Sequence, residues 1–72
     1  MTAILIVDDS STVRHDLGDA LETAGFRVIT CATLADARTA LRTQSIALAI
    51  LDVQLPDGDG VSLLEQIRRA IV

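Results

Sequence analysis

Two stretches of the chain are short, continuous and apolar: residues 3–7 (AILIV) and residues 46–51 (IALAIL). Unbroken runs of branched apolar residues are typical of strands that a parallel sheet buries on both faces. A third stretch, residues 26–31 (FRVITC), mixes Arg27 and Thr30 with apolar residues. This mixture predicts a third strand, at the edge of the sheet.

Between and after these strands, apolar residues recur at helical spacing. The first predicted helix has them at positions 13, 17, 20, 21 and 24 and stops at Gly25, which tolerates the left-handed conformation of a helix end. The second has them at 34, 37 and 41, with Thr33 as N-cap and Asp36 near its positive end. A third helix is outlined by positions 61, 64, 67 or 68, and 71.

The alternation βαβαβα predicts an α/β fold, with parallel strands joined by right-handed crossovers and covered by helices. In such sheets the chemistry lies at the carboxyl ends of the strands. Asp8 and Asp9 follow the first strand, and Asp52 follows the third. If the strand order is 2-1-3, these three carboxylates share one crevice.

Three carboxylates in one crevice need a counter-charge. Two of them about 5 Å apart repel by roughly 3 kcal/mol at an effective dielectric constant of about 20. Magnesium is the cation that fits best, because it prefers oxygen ligands and leaves a position for a phosphoryl oxygen. Cys31 and His15 are predicted on other surfaces, which disfavours zinc or copper.

The composition of the chain limits its possible cellular location and its possible classes of partner. Half of the residues are apolar, but the longest apolar run is far shorter than the roughly 20 residues of a membrane span, so we expect a soluble chain without membrane contact. The first residues show no basic segment before the apolar run and no small-residue cleavage pattern, so we expect no export signal. The single cysteine agrees with a reducing compartment, and we expect a cytoplasmic location. The net charge is −4 and the arginines form no basic stripe, which argues against direct binding of nucleic acid.

The segments ILIVDDSSTVR and LAILDVQLPDGDG, with the spacing between them, resemble the receiver domain of two-component response regulators. The resemblance runs from Ile4 to the end of the chain. It implies a flavodoxin-like receiver fold with strand order 2-1-3. It also implies a phosphoacceptor in a phosphorelay rather than an enzyme, with a sensor histidine kinase or a histidine phosphotransfer protein as partner.

The same resemblance assigns roles to individual residues. Asp52 would attack the phosphorus of the partner's phosphohistidine and become an aspartyl phosphate. Asp8, Asp9 and Asp52 would hold Mg²⁺, with the backbone carbonyl of Gln54 as a further ligand. Pro56 and the glycines of the following loop would shape the path into the last helix.

Complete receivers continue through a fourth and a fifth strand, which supply a Ser or Thr and a Lys that respond to the phosphoryl group. The present sequence has no lysine, because its six basic residues are all arginine. We therefore expect residues 1–72 to form a receiver domain that is incomplete at its C-terminus. The interior character of the strand at 46–51 predicts that its open edge pairs with a second copy, or that the chain stays partly unfolded.

Other interpretations remain open at this point. The chain could be a shortened, switch-deficient receiver that acts as an oligomerising interaction module. It could also be a Mg²⁺-dependent phosphohydrolase with Asp52 as nucleophile, although residue 54 is Gln, so the third strand lacks the Asp-x-Asp pair that would supply a general acid. The simplest interpretations are that Asp9 and Ser10 only cap the first helix, and that Asp52 only ends a strand.

Overall fold

In the part of the chain that the structure describes, three strands and two helices form the body of the protein, and a short hairpin follows the third strand. The computed structural model describes residues 2–52, 54–59 and 61. The elements in chain order are β1 (Ala3–Val7), α1 (Ser11–Thr23), β2 (Val28–Cys31), α2 (Leu34–Thr43), β3 (Ile46–Leu51), β4 (Gln54–Leu55) and β5 (Gly58–Asp59). Most of the third predicted helix, residues 62–72, lies outside the described residues.

The sheet has the strand order β2-β1-β3, and both pairings are parallel. This confirms the predicted α/β fold and its order. All five residues of β1 are buried, because β1 has a strand on each side and apolar side chains on both faces. β4 and β5, which the sequence did not predict, form an antiparallel hairpin outside this sheet.

The second strand is shorter than predicted. It begins at Val28, so the prediction of a strand from residue 26 was wrong for Phe26 and Arg27. The Phe26 N–H donates to the Leu21 carbonyl (3.0 Å), and the Gly25 N–H donates to the Glu22 carbonyl (2.9 Å). These two bonds form a Schellman motif that closes α1, so Phe26 belongs to the end of the helix.

One face of the sheet packs against α2. Thr33 caps this helix as predicted, because its side chain accepts from the Asp36 N–H at 3.2 Å. The core on this face consists of buried residues from the sheet, from α2 and from the hairpin, namely Leu5, Val7, Cys31, Leu34, Ala37, Ala40 and Leu55. The Cys31 thiol is free, and its burial raises its pKa, as expected for a small packed side chain.

On the other face of the sheet, α1 contacts both β2 and β1. Gly18 lies on β2: a Cβ there would be 3.8 Å from the side chains of both Val28 and Thr30. At the opposite side of the sheet, Leu48 of β3 remains 55% exposed. Among the described residues, no helix is long and apolar enough to cross a membrane.

Gly18, Gly25 and Gly58 differ in φ and in the space around them, so alanine substitutions at these positions test the backbone geometry. Gly58 has φ +150°, and a Cβ there would lie 2.8 Å from Cδ1 of Leu34, which is 1% exposed and has little room to move. Gly25 has φ +96° but open space around it, whereas Gly18 is helical and has room for a methyl group.

We expect Gly58→Ala to lower the free energy of unfolding by about 2–3 kcal/mol, Gly25→Ala to lower it by about 1 kcal/mol, and Gly18→Ala to raise it by about 0.5–1 kcal/mol. Urea denaturation followed by circular dichroism measures all three. Equal losses for Gly58→Ala and Gly25→Ala would show that Leu34 does not restrict residue 58.

Candidate functional site

Three aspartates meet at the carboxyl end of the sheet. Val7 is paired with Leu51 in the register of β1 and β3, so the residues that follow the two strands are neighbours. Asp8, Asp9 and Asp52 each offer a carboxylate oxygen, and these oxygens all lie within 4.8 Å of one another. We call these three residues the acidic cluster.

Backbone hydrogen bonds to the neighbouring strands hold the cluster in place. The Asp52 N–H donates to the Val7 carbonyl at 2.9 Å, and the Asp8 N–H donates to the Cys31 carbonyl at 3.1 Å. The ladders on both sides of β1 therefore continue for one residue beyond the strands. Asp8 and Asp52 are half-buried and Asp9 is exposed, so the cluster lies at the surface of a rigid sheet end.

Two further contacts orient Asp8. One of its carboxylate oxygens accepts from the Ser10 N–H at 2.9 Å, while the Arg14 guanidinium donates to the Asp8 carbonyl at 2.7 Å. The half-buried Arg14 therefore brings a positive charge next to the backbone of Asp8. The sequence analysis did not predict this contact of Arg14, because residue spacing does not indicate the direction of a long side chain.

The cap of α1 is Ser10 rather than Asp9. The Ser10 side chain accepts from the Val13 N–H at 3.3 Å. Capping therefore does not occupy Asp9, whose carboxylate lies with those of Asp8 and Asp52. Ser10 therefore caps α1, as one interpretation of the sequence predicted, whereas Asp9 belongs to the acidic cluster.

The predicted ligand Gln54 follows Asp52 by two residues. Its backbone begins β4 and pairs with Asp59 of β5. Val53 and the side chain of Gln54 lie outside the described residues. The role of the Gln54 carbonyl as a metal ligand therefore stays a prediction.

Asp57, at the tip of the hairpin, makes a contact that the sequence analysis did not foresee. Its two carboxylate oxygens accept from the N–H groups of Leu34 (2.8 Å) and Ala35 (3.0 Å) at the start of α2. These bonds lower the pKa of Asp57, and the charge of Arg38 adds to the effect. The sequence analysis gave the loop after Asp52 only the role of shaping the path into the last helix. Because 22 residues separate Asp57 from Ala35, the local pattern held no signal for this contact.

The donors of the acidic cluster suit a hard cation. All three are carboxylates, the ligands that Mg²⁺ uses in proteins. The Cys31 thiol is packed in the core and His15 is exposed on α1, so neither adds a soft ligand to the cluster. The oxygen set therefore fits Mg²⁺ better than zinc or copper.

Removing one charge from the acidic cluster should stabilise the metal-free protein. We expect Asp9→Asn to raise the free energy of unfolding by about 1 kcal/mol in the presence of EDTA, because two close like-charge pairs disappear. Asp16→Asn, at an exposed position of α1, is the matched control and should change it little. Chemical denaturation at low ionic strength measures both, and equal effects would contradict strong repulsion within the cluster.

Comparisons with known proteins bear on the family and the fold of the chain. The family model of the response regulator receiver domain matches residues 4–71. The transcriptional regulatory protein GltR of Pseudomonas aeruginosa is 48% identical over 66 residues, which cover 92% of this chain and 27% of GltR. The KDP operon transcriptional regulatory protein KdpE of Escherichia coli is 41% identical over 69 residues, which cover 96% of this chain and 31% of KdpE.

Solved receiver structures superpose closely on the fold. The non-phosphorylated HemR receiver domain from Leptospira biflexa has a TM-score of 0.88 at 33% identity, and the match covers 96% of this chain and 56% of that one. The MaeR response regulator bound to beryllium trifluoride has a TM-score of 0.86 at 39% identity, with coverage of 97% and 59%. The chain thus spans less than a third of these curated relatives and little more than half of these solved chains. It belongs to the response regulator receiver domain family.

Proposed function

We propose that this chain accepts a phosphoryl group on Asp52 from the phosphohistidine of a sensor histidine kinase or a histidine phosphotransfer protein. The observation that carries the proposal is the acidic cluster, which places Asp52 beside two further carboxylates at the end of the sheet where α/β proteins bind ligands. Membership in the receiver family supports the same role. The proposal includes the cytoplasmic location expected from the sequence.

The chemistry required of Asp52 is nucleophilic attack by a carboxylate oxygen on phosphorus. The new O–P bond forms as the P–N bond to the partner's imidazole breaks, and the electron pair of that bond returns to the imidazole nitrogen. Carboxylates serve as nucleophiles of this kind in other phosphoryl-transfer proteins. The hydrogen bond from the Asp52 N–H to the Val7 carbonyl keeps the nucleophile at a constant position relative to β1.

The remaining residues of the cluster supply metal binding in this proposal. Asp8, Asp9 and Asp52, with the backbone carbonyl of Gln54, would hold Mg²⁺, which supplies neutralisation of the charge on the transferring group. The bond from the Ser10 N–H leaves the second carboxylate oxygen of Asp8 available as a ligand. Arg14 and Ser10 act as positioning residues, because both hold Asp8.

A role as a signalling module fits these residues better than a role as a phosphohydrolase. Hydrolysis by an aspartyl-phosphate mechanism needs a general acid or base near the nucleophile. The residue two positions after Asp52 is Gln54, which has no titratable group. The proposal therefore assigns stoichiometric phosphorylation rather than turnover.

Phosphorylation can be tested with a small acyl phosphate as donor. We expect the purified chain to gain the mass of one phosphoryl group when Mg²⁺ is present and to remain unmodified in EDTA. Asp52→Asn should abolish the gain, and Asp16→Asn should leave it unchanged. Intact-mass spectrometry measures the product. Full labelling of the Asp52→Asn variant would assign the acceptor to another residue, and an unlabelled wild-type chain would contradict the proposed function.

We further propose that the 72-residue chain self-associates through the open edge of β3. β3 is the last strand in the order β2-β1-β3, so in the described part of the chain its hydrogen-bonded neighbour is β1. Leu48, in the middle of β3, is 55% exposed, although the strand has the apolar sequence of a sheet interior. Unpaired edges of this kind pair readily with another strand.

Analytical ultracentrifugation at several concentrations tests this association. We expect oligomers that dissociate on dilution, and we expect Leu48→Asp to shift the chain to monomer because it places a charge on the edge strand. Val13→Asp, at a position of α1 that is 37% exposed, is the control and should still associate. A folded wild-type monomer at all concentrations would contradict association through the edge of β3. Loss of association in Val13→Asp but not in Leu48→Asp would instead assign the contact between copies to α1.

A further inference from the structure

We propose that Asp57 is a positioning residue for the acidic cluster: its carboxylate fastens the hairpin of β4 and β5, which follows Asp52, to the first turn of α2. The inference builds on the proposed function, since the same hairpin begins with the predicted ligand Gln54. Asp57 itself touches neither the metal nor the phosphoryl group in this proposal. Its effect passes through the backbone that joins it to Asp52.

The start of α2 explains why Asp57 is held there. The first N–H groups of a helix have no partner within the helix. The Thr33 hydroxyl accepts from the Asp36 N–H at 3.2 Å, which leaves the N–H groups of Leu34 and Ala35 to be satisfied from outside the helix. Asp57 accepts from both, one with each carboxylate oxygen, at 2.8 and 3.0 Å. A carboxylate with this pair of bonds is fixed in direction as well as in distance.

Three contacts attach the hairpin to α2 and to the core. Leu55 is 8% exposed within the core, Gly58 lies so close to Leu34 that a Cβ would be 2.8 Å from its side chain, and Asp57 makes its two bonds. The contacts of Leu55 and Gly58 are apolar, and they set how closely the hairpin packs against the core. The bonds of Asp57 are the directional ones, so they determine how the hairpin is turned about its long axis.

The orientation of the hairpin affects the acidic cluster through a very short segment of backbone. Asp52 is bonded to Val7 at one end, and Leu55 is packed in the core at the other. Only two residues lie between them, and consecutive Cα atoms are about 3.8 Å apart, so the two ends of the segment are at most about 11 Å apart. A change in the direction of the hairpin therefore moves the carbonyl of Gln54 relative to Asp52.

The test compares variants at the two acceptors of the same helix end. Asp57→Ala removes both bonds to α2, and Asp57→Asn keeps one acceptor oxygen. Thr33→Val is the matched control, because it removes the N-cap bond of α2 but leaves the attachment of the hairpin intact. Mg²⁺ titrations of each folded chain, followed by NMR signals of the Asp8, Asp9 and Asp52 amides, measure the affinity of the cluster. Denaturation of each variant measures stability separately.

We expect Asp57→Ala to weaken Mg²⁺ binding by roughly 10-fold, the lower end of the effect of residues that orient metal ligands. Asp57→Asn should lie between Asp57→Ala and the wild type, and Thr33→Val should bind Mg²⁺ as the wild type does despite its lower stability. The amide signals of Leu34 and Ala35 should shift in both Asp57 variants without metal, which reports loss of the contact itself.

A merely structural role would lower stability in the Asp57 and Thr33 variants alike and leave their Mg²⁺ affinities equal, and that result overturns the proposal. If Asp57→Ala does not fold, Asp57→Asn decides, because wild-type affinity in that variant also overturns it. Failure of the proposed function has a different signature: the wild-type chain itself would bind no Mg²⁺, and the role assigned to Asp57 would fall with it.

Discussion

The parallel pairing of β1 with a strand on each side is the interaction on which the rest of the structure depends. In its register Val7 lies between Cys31 of β2 and Leu51 of β3, so the strands end at the same level. The register of the strands therefore places the residues that follow, Asp8 and Asp52, next to one another. Burial of all five residues of β1 stabilises this arrangement, and it allows carboxylates that repel one another to share one place.

Like-charge repulsion in the acidic cluster is a cost that the surrounding residues reduce. Arg14 adds a positive charge near Asp8, and the Ser10 N–H stabilises one of its oxygens. Asp57, although only five residues after Asp52, is bonded to the positive end of α2. Asp57 is thus engaged at the start of α2 and is not a member of the acidic cluster.

The sequence analysis predicted most of the fold correctly because the elements have strong local signals. The apolar runs at residues 3–7 and 46–51, the spacing of the two helices and the cap at Thr33 are all present in the structure. The error at Phe26 arose where an apolar residue serves a helix end, which a strand pattern does not distinguish. The contacts of Arg14 and Asp57 could not be predicted, because each depends on how a side chain is directed in three dimensions.

The sequence by itself determined the alternation of strands and helices and which carboxylates follow which strands. These properties depend on periodicity and capping, which act over a few residues. Only the tertiary structure decided that three of the aspartates lie within 4.8 Å of one another and that a fourth is bonded to α2. The physical reason is that strand register and helix packing bring together residues that are distant in sequence, and no local pattern encodes the distances between them.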